Sequence, residues 1–284
     1  MLDNLNHFQQ RLIVGISSTV VLFIFIWLAP LSYFKPIFAL ITASVITLSV
    51  WEYYQIAKNK IYNPREILGA VCSFAYVTAV FLSTQIQAPI VKFLPEIVLW
   101  LTLALIFFSY FISKSPPLAN SAITLFAIGY LVIPLATLVN IIYFFPSDSP
   151  QDGRWWITFL ILVTKMTDTG AFFVGRTYGH HKLAPSISPG KSWEGAIAGF
   201  IAALVTGMLM HWFTPINLSL FTSLCLAGVL SIVAQFGDLA ESLIKRDAGV
   251  KDSNQIPGLG GMLDIVDSLV FTAPLMYIYL KLQF

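Results

Sequence analysis

Nine apolar runs, most of them close to 20 residues long, follow one another along a chain of 284 residues. That succession constrains the fold more than any other feature. A hydrocarbon core of roughly 30 Å is crossed by about 20 helical residues, whereas barrel strands alternate apolar and polar side chains over about ten. The runs here are continuous, so they predict helices. Spans are expected at 12–29, 33–54, 66–84, 96–112, 120–144, 155–175, 193–213, 218–240 and 264–282. Only 11% of residues are charged and 57% are hydrophobic, against roughly a quarter charged in an ordinary soluble domain. The expected fold is an all-α polytopic integral membrane protein with about nine transmembrane helices.

The first run is too long, and too closely followed by others, for a cleaved signal peptide; it is expected to stay as an anchoring helix. With the N-terminus cytoplasmic, eleven Lys and Arg residues fall inside (Arg11, Lys58, Lys60, Arg65, Lys114, Arg176, Lys182, Lys191, Lys245, Arg246, Lys251) and four outside (Lys35, Lys92, Arg154, Lys281). This is a positive-inside bias, and it fixes the expected orientation. Lys165 remains within the sixth span, where it needs a partner or a wet cavity. Cys72 and Cys225 lie inside apolar runs without a CxxC spacing, which fits small core residues. The formal charge of +2 says little about partners; the tryptophans gather near span ends like interfacial anchors instead of forming a base-stacking platform, and no nucleic-acid partner is expected.

Two stretches carry polar groups that lipid rejects, and such groups are normally retained for a site or a pathway. One runs from Gly237 to Asp267, GDLAESLIKRDAGVKDSNQIPGLGGMLDIVD. Asp238, Glu241, Ser242 and Lys245 are spaced i, i+3, i+4 and i+7 and share one helix face. Lys251 and Asp252 follow, then Pro257 and glycines able to bring backbone close to a ligand. Asp264 and Asp267 open the last helix as neighbours on its surface, in part as a helix-start device. Oxygen-only ligands without His or Cys suit a hard cation such as Mg²⁺ that shares its coordination with substrate phosphates; a second cation is left open. The carboxylates of this stretch are the candidates to hold it.

The other stretch runs from Thr167 to Trp193, TDTGAFFVGRTYGHHKLAPSISPGKSW. Lys165 and Asp168 are i, i+3 and able to neutralise one another, or Asp168 joins the metal cluster. Gly170 and Gly175 are expected to allow close helix packing. The basic loop after them suits phosphate, with Ser192 or backbone amides opening the seventh helix toward an anion. His180 and His181 lack a third ligand and are expected to be solvated. Glu52, Lys58, Arg65 and Glu66 are expected as surface charges that fix depth.

The order S-x-x-K-R, K-D and P-G-x-G-G-x-x-D-x-x-D, at Ser242, Lys245, Arg246, Lys251, Asp252, Pro257, Gly258, Gly260, Gly261, Asp264 and Asp267, resembles the signature of the phosphatidate cytidylyltransferases, or CDP-diacylglycerol synthases. The upstream D-T-G-A-x-x-x-G-R at Asp168–Arg176 and S-P-x-K-S-x-E-G at Ser188–Gly195 are also similar to that family. The resemblance implies reaction of CTP with phosphatidate to give CDP-diacylglycerol and pyrophosphate. It implies catalytic roles for Asp238, Lys245, Arg246, Lys251 and Asp264, and metal binding by Asp238 and Asp264, with Asp267 as a third ligand. Phosphate contacts fall to Lys191, Ser192, Arg176 and Ser242, with Asp168, Glu241 and Asp252 in support. Where the family usually has P-G-H-G-G and D-R-x-D, this chain has Leu259 and Ile265, so a histidine and an arginine are missing.

Residues 1–150 are expected to form scaffold helices with room for a homodimer contact, and residues 151–284 the catalytic membrane domain. A bacterial inner membrane, with the site facing the cytoplasm, is the expected location. Rival readings are a transferase acting on another lipid phosphate, a degenerate copy, a transporter, and a non-catalytic interaction protein. A transporter would favour midplane charges and an internal repeat. Here the charges collect toward one face.

Overall fold

A computed structural model describes residues 19–113, 116–146, 148–250 and 261–284. Lys251, Asp252 and residues 257–260 lie outside the described residues, as does the first run before Thr19. In chain order the helices are α1 (Thr19–Leu28), α2 (Lys35–Lys58), α3 (Glu66–Gln85), the single turn α4 (Pro89–Lys92), α5 (Leu94–Phe111), α6 (Pro117–Ala127) and α7 (Ile133–Ile142). Then come α8 (Gly153–Tyr178), the strands β1 (Lys182–Ala184) and β2 (Ser188–Ser192), α9 (Trp193–Phe213), α10 (Leu220–Asp247) and α11 (Met262–Gln283). Among the described residues eight helices are long and apolar enough to cross a membrane, with α6 and α7 counting as one span, Pro117–Ile142. They coincide with the last eight expected spans. The chain is thus an all-α polytopic integral membrane protein, with one short hairpin in a connection expected to be irregular.

Local chemistry explains the exceptions to plain helix. Ile128–Val132 winds as a π turn between α6 and α7, just before Pro134, which has no N–H to contribute to the ladder. The long helix α10 stops at Gly249, whose φ of 73° is open to glycine at little cost. Val250 N–H donates to the Lys245 carbonyl at 3.0 Å and Gly249 N–H to the Arg246 carbonyl at 3.1 Å. This pair of bonds closes the helix end as a Schellman motif.

The chain divides into two compact units, residues 1–132 with 252–265, and residues 133–251 with 266–284. In the first, α2 packs on α3 and on the π turn, and α3 packs on α5. Ile46, Val50, Tyr54, Val77, Ile106 and Leu131 are almost wholly buried there. Polar bonds tie the helix ends. The Tyr54 hydroxyl donates to the Thr124 carbonyl at 3.0 Å, and Arg65 N–H donates to Thr124 Oγ1 at 3.0 Å. Arg65 also reaches Ser109 Oγ at 3.1 Å and lies 4.4 Å over the Tyr110 ring. Lys58 and Glu66 pair at 2.5 Å. Of the four charges expected to lie at the surface, Lys58, Arg65 and Glu66 are partly exposed and bonded, whereas Glu52 is buried.

In the second unit the most extensive packing is between α8 and α9, followed by α9 with α10 and α8 with α10. Lipid tails are as apolar as leucine, so close backbone approach and interhelical hydrogen bonds must hold such a bundle. Both are present. A Cβ added to Gly199 would lie 2.6 Å from the Thr167 carbonyl oxygen, and one on Gly195 would lie 2.7 Å from that of Ala171. Buried Thr167 Oγ1 donates to Ser231 Oγ at 3.0 Å, joining α8 to α10, and Ser223 Oγ donates to the Gly207 carbonyl at 2.8 Å, joining α10 to α9. Trp156 is fully buried against Phe145, Tyr279 and Phe284 and is a core residue instead of an interfacial anchor. Cys72 is buried, but Cys225 faces outward and is not a core residue.

Candidate active site

The polar side chains of α8, the hairpin, α10 and α11 in the second unit converge because three backbone features bring them together. The glycines of α8 and α9 hold those helices close. The hairpin, with Lys182 opposite Ser192 and Ala184 opposite Ser188, carries Lys191 back toward the bundle. At Gly237 the backbone of α10 meets that of α11, so that an added Cβ would lie 2.8 Å from the Asp267 carbonyl oxygen.

The result is an alternation of carboxylates and lysines. Lys191 Nζ lies 2.7 Å from Asp238 Oδ2, both side chains partly covered. Lys165 Nζ lies 3.8 Å from Asp168 Oδ2 one turn along α8. Asp267 is buried, accepts from the Ser268 N–H at 2.5 Å, and lies in the field of Asp238, Asp168 and Lys165. Asp168 in turn feels Asp238 and Lys191. Three acids and two lysines thus share one region. Each acid in it has a cation or an N–H to offset the cost of leaving water.

A second pair lies farther along α10. Lys245 Nζ lies 2.5 Å from Glu241 Oε2, with side-chain exposures of 11% and 1%. Lys245 is held by its own helix instead of projecting into solvent. Removing one partner of a buried pair leaves the other charge uncompensated. Glu241→Ala is therefore expected to destabilise the protein by about 3 kcal/mol, read as a lower unfolding temperature in detergent. An unchanged unfolding temperature would show that water screens the pair.

The remaining expected residues divide by what they touch. Arg246 donates from Nε to the Ile187 carbonyl at 3.0 Å and so latches the hairpin turn to the end of α10. Ser192 is buried and caps α9, its Oγ accepting from the Gly195 N–H at 3.2 Å. Both side chains fix the element that presents Lys191, a role the sequence did not suggest. Arg176 is exposed in the last turn of α8, beside Phe172, and Ser242 is half-buried one turn beyond Asp238. His181 is exposed and bonds Glu194 Oε1 through Nδ1 at 2.6 Å, so it belongs to the start of α9. Asp264, described with the first unit, accepts from the Gly261 N–H at 2.8 Å. Lys251 and Asp252 lie outside the described residues.

Among the described residues no three His, Cys, Asp or Glu side chains group closely enough to hold a metal by themselves. Among the described residues there is thus no preformed three-ligand cage. Mg²⁺ rarely has one, because it keeps its waters and is commonly held by one or two carboxylates plus substrate phosphates. The all-oxygen donors Asp238 and Asp267 suit that mode of binding.

The chain matches the model of the Cytidylyltransferase family over residues 9–283. A phosphatidate cytidylyltransferase of Chlamydia pneumoniae is 33% identical over 282 residues, covering 95% of this chain and 91% of that protein. One of Haemophilus influenzae is 35% identical over 268 residues, covering 87% and 91%. One of Staphylococcus haemolyticus is 43% identical over 162 residues, covering 57% and 59%. A match that runs nearly from end to end, with relatives aligned over nine-tenths of their own length, means that the chain belongs to the cytidylyltransferase family.

Proposed function

We propose that this protein is a phosphatidate cytidylyltransferase, which joins CTP and phosphatidate to give CDP-diacylglycerol and pyrophosphate at a membrane surface. The observation that carries the reading is the alternating cluster of Lys165, Asp168, Lys191, Asp238 and Asp267 in a chain of this family. Such a cluster suits two polyphosphorylated reactants that must approach one another. An oxygen of the lipid phosphate monoester attacks the α-phosphorus of CTP, a P–O bond forms, and the bond from the α-phosphorus to the β-phosphate bridge breaks. The electron pair leaves with pyrophosphate. No covalent enzyme intermediate is needed, and positioning with charge stabilisation carries the catalysis.

In this reading Lys191 and Lys165 bind phosphate oxygens, and their present partners, Asp238 and Asp168, keep them oriented until substrate arrives. Arg246, through the Ile187 carbonyl, and Ser192, through the start of α9, hold the hairpin that carries Lys191. Asp238 and Asp267 are the residues of this unit that would hold Mg²⁺, and the family resemblance adds Asp264. When bound, that ion would screen the charge of the approaching phosphates and of the departing pyrophosphate. The phosphate monoester is itself a nucleophile, so Leu259 and Ile265, in place of the family's usual histidine and arginine, remove no obligatory base. The catalytic residues fall within 151–284, and the positive-inside pattern supports a cytoplasmic site in a bacterial inner membrane.

The test is transfer of labelled CMP from CTP to a panel of phosphorylated lipids by the purified protein with Mg²⁺. Label is expected in a lipid product with phosphatidate, and none is expected after chelation. Label on another lipid phosphate alone would give the chain a different acceptor. No product with any lipid would overturn the reading.

A further inference from the structure

Glu52 lies on the buried face of α2, on the ridge formed by Ser49, Glu52, Tyr53 and Ile56, where packing alone would favour an aliphatic side chain. It is 8% exposed. A carboxylate in such a place is costly unless something bonds to it. Its Oε2 accepts the backbone N–H of Leu263 at 2.9 Å, across 211 residues of sequence.

Leu263 is the second residue of α11, and its N–H is one of the four that a helix start leaves without an intrahelical partner. A side chain at the preceding cap position normally takes up one of these groups, but Gly261 has none to offer. The reciprocal half of a capping box is present, since Asp264 Oδ2 accepts from the Gly261 N–H at 2.8 Å. The forward half comes from another helix. Glu52 also places a negative charge at the positive end of the α11 dipole.

We infer that Glu52 is a positioning residue for Asp264 at the start of α11. By capping the helix from α2 it fixes where α11 begins, and so the height and rotation of Asp264, the residue after Leu263. Its carboxylate touches no reacting group in this reading and acts through the backbone of Leu263. Only the activity arm of the test rests on the proposed cytidylyl transfer.

Hydrogen exchange of the intact, metal-free protein in detergent tests the cap directly. The Leu263 amide is expected to be protected in the wild-type protein. Exchange there at the rate of an unstructured amide overturns the inference without any variant. Glu52→Leu removes the acceptor and is expected to speed exchange at Leu263 about tenfold, the scale of losing one helix cap. Glu52→Gln keeps a carbonyl acceptor and is expected to retain most of the protection. In the transfer assay Glu52→Leu is expected to raise the Mg²⁺ concentration giving half-maximal rate, and Glu52→Gln to restore it toward wild type. A residue that only supports folding would lower the amount of active protein and leave that midpoint unmoved, which overturns the positioning role. Failure of the wild-type protein to turn over CTP would instead count against the proposed activity and leave the exchange result standing.

Discussion

Asp238→Asn is expected to lower CMP transfer from CTP to phosphatidate by at least about 10²-fold, the scale of losing one preorganised electrostatic contact to a reacting phosphate. The change keeps the size of the side chain and removes its charge. Two functions go with that charge: the orientation of Lys191, paired at 2.7 Å, and an oxygen donor for a cation shared with phosphate. Asp168→Asn is expected to cost less, because its lysine is 3.8 Å away on the same helix. A double variant separates chemistry from simple charge balance. If Asp238 only neutralises Lys191, then Asp238→Asn with Lys191→Met should recover activity over the single change, a favourable coupling that a double-mutant cycle reads directly. If both groups act on phosphates, the double variant stays as inactive as the worse single one. Retention of more than a small fraction of wild-type kcat by Asp238→Asn would remove this carboxylate from the mechanism.

The membrane spans were legible because one rule with little context dependence governs them: about 20 apolar residues bridge the bilayer core. Even there, α10 runs to Asp247 although its apolar run ends near residue 240. The extension follows from the stripe itself. Asp238, Glu241, Ser242 and Lys245 occupy one face while Leu243 and Ile244 keep the others apolar, and the helix stops only where Gly249 adopts its left-handed conformation. The Lys165–Asp168 pair and the small-residue packing of Gly170 were also readable, since both depend on neighbours along one helix or on residue size.

What could not be read depends on partners distant in sequence. Glu52 looked like a surface charge near a span end because nothing within α2 reveals Leu263. Arg246 received its catalytic role from the resemblance, and its place beside Lys245 gives no hint of the Ile187 carbonyl to which it donates. Ser192 was expected to open the seventh helix toward an anion, and nothing in its neighbours along the chain shows that its Oγ packs beside Gly175 of α8 while capping α9. The β1–β2 hairpin escaped notice since a Pro- and Gly-rich run of 14 residues reads as a loop whether or not its ends pair.

Gly237→Val is expected to lower kcat by about 10²-fold while the protein remains folded, the scale of a misplacement near 1 Å. The physical cause is the contact of α10 with α11. A single Cβ at residue 237 would stand 2.8 Å from the Asp267 carbonyl oxygen, 3.4 Å from the Phe271 ring and 3.5 Å from the Ser268 Cα. The first of these atoms is backbone and cannot swing aside, so the helices must separate or slide. Asp238 is the next residue along α10, and Asp267 carries the carbonyl being pushed, so the displacement falls on the two acids themselves. Gly228→Ala provides the control: it lies earlier on α10, and its nearest neighbours are the ends of Phe200 and Leu204, side chains able to yield. That variant is expected to keep near wild-type activity. Gly237→Ala should fall between the two. If Gly237→Val transfers CMP as fast as Gly228→Ala, the spacing of Asp238 and Asp267 does not govern the rate, and these carboxylates do not act as a pair.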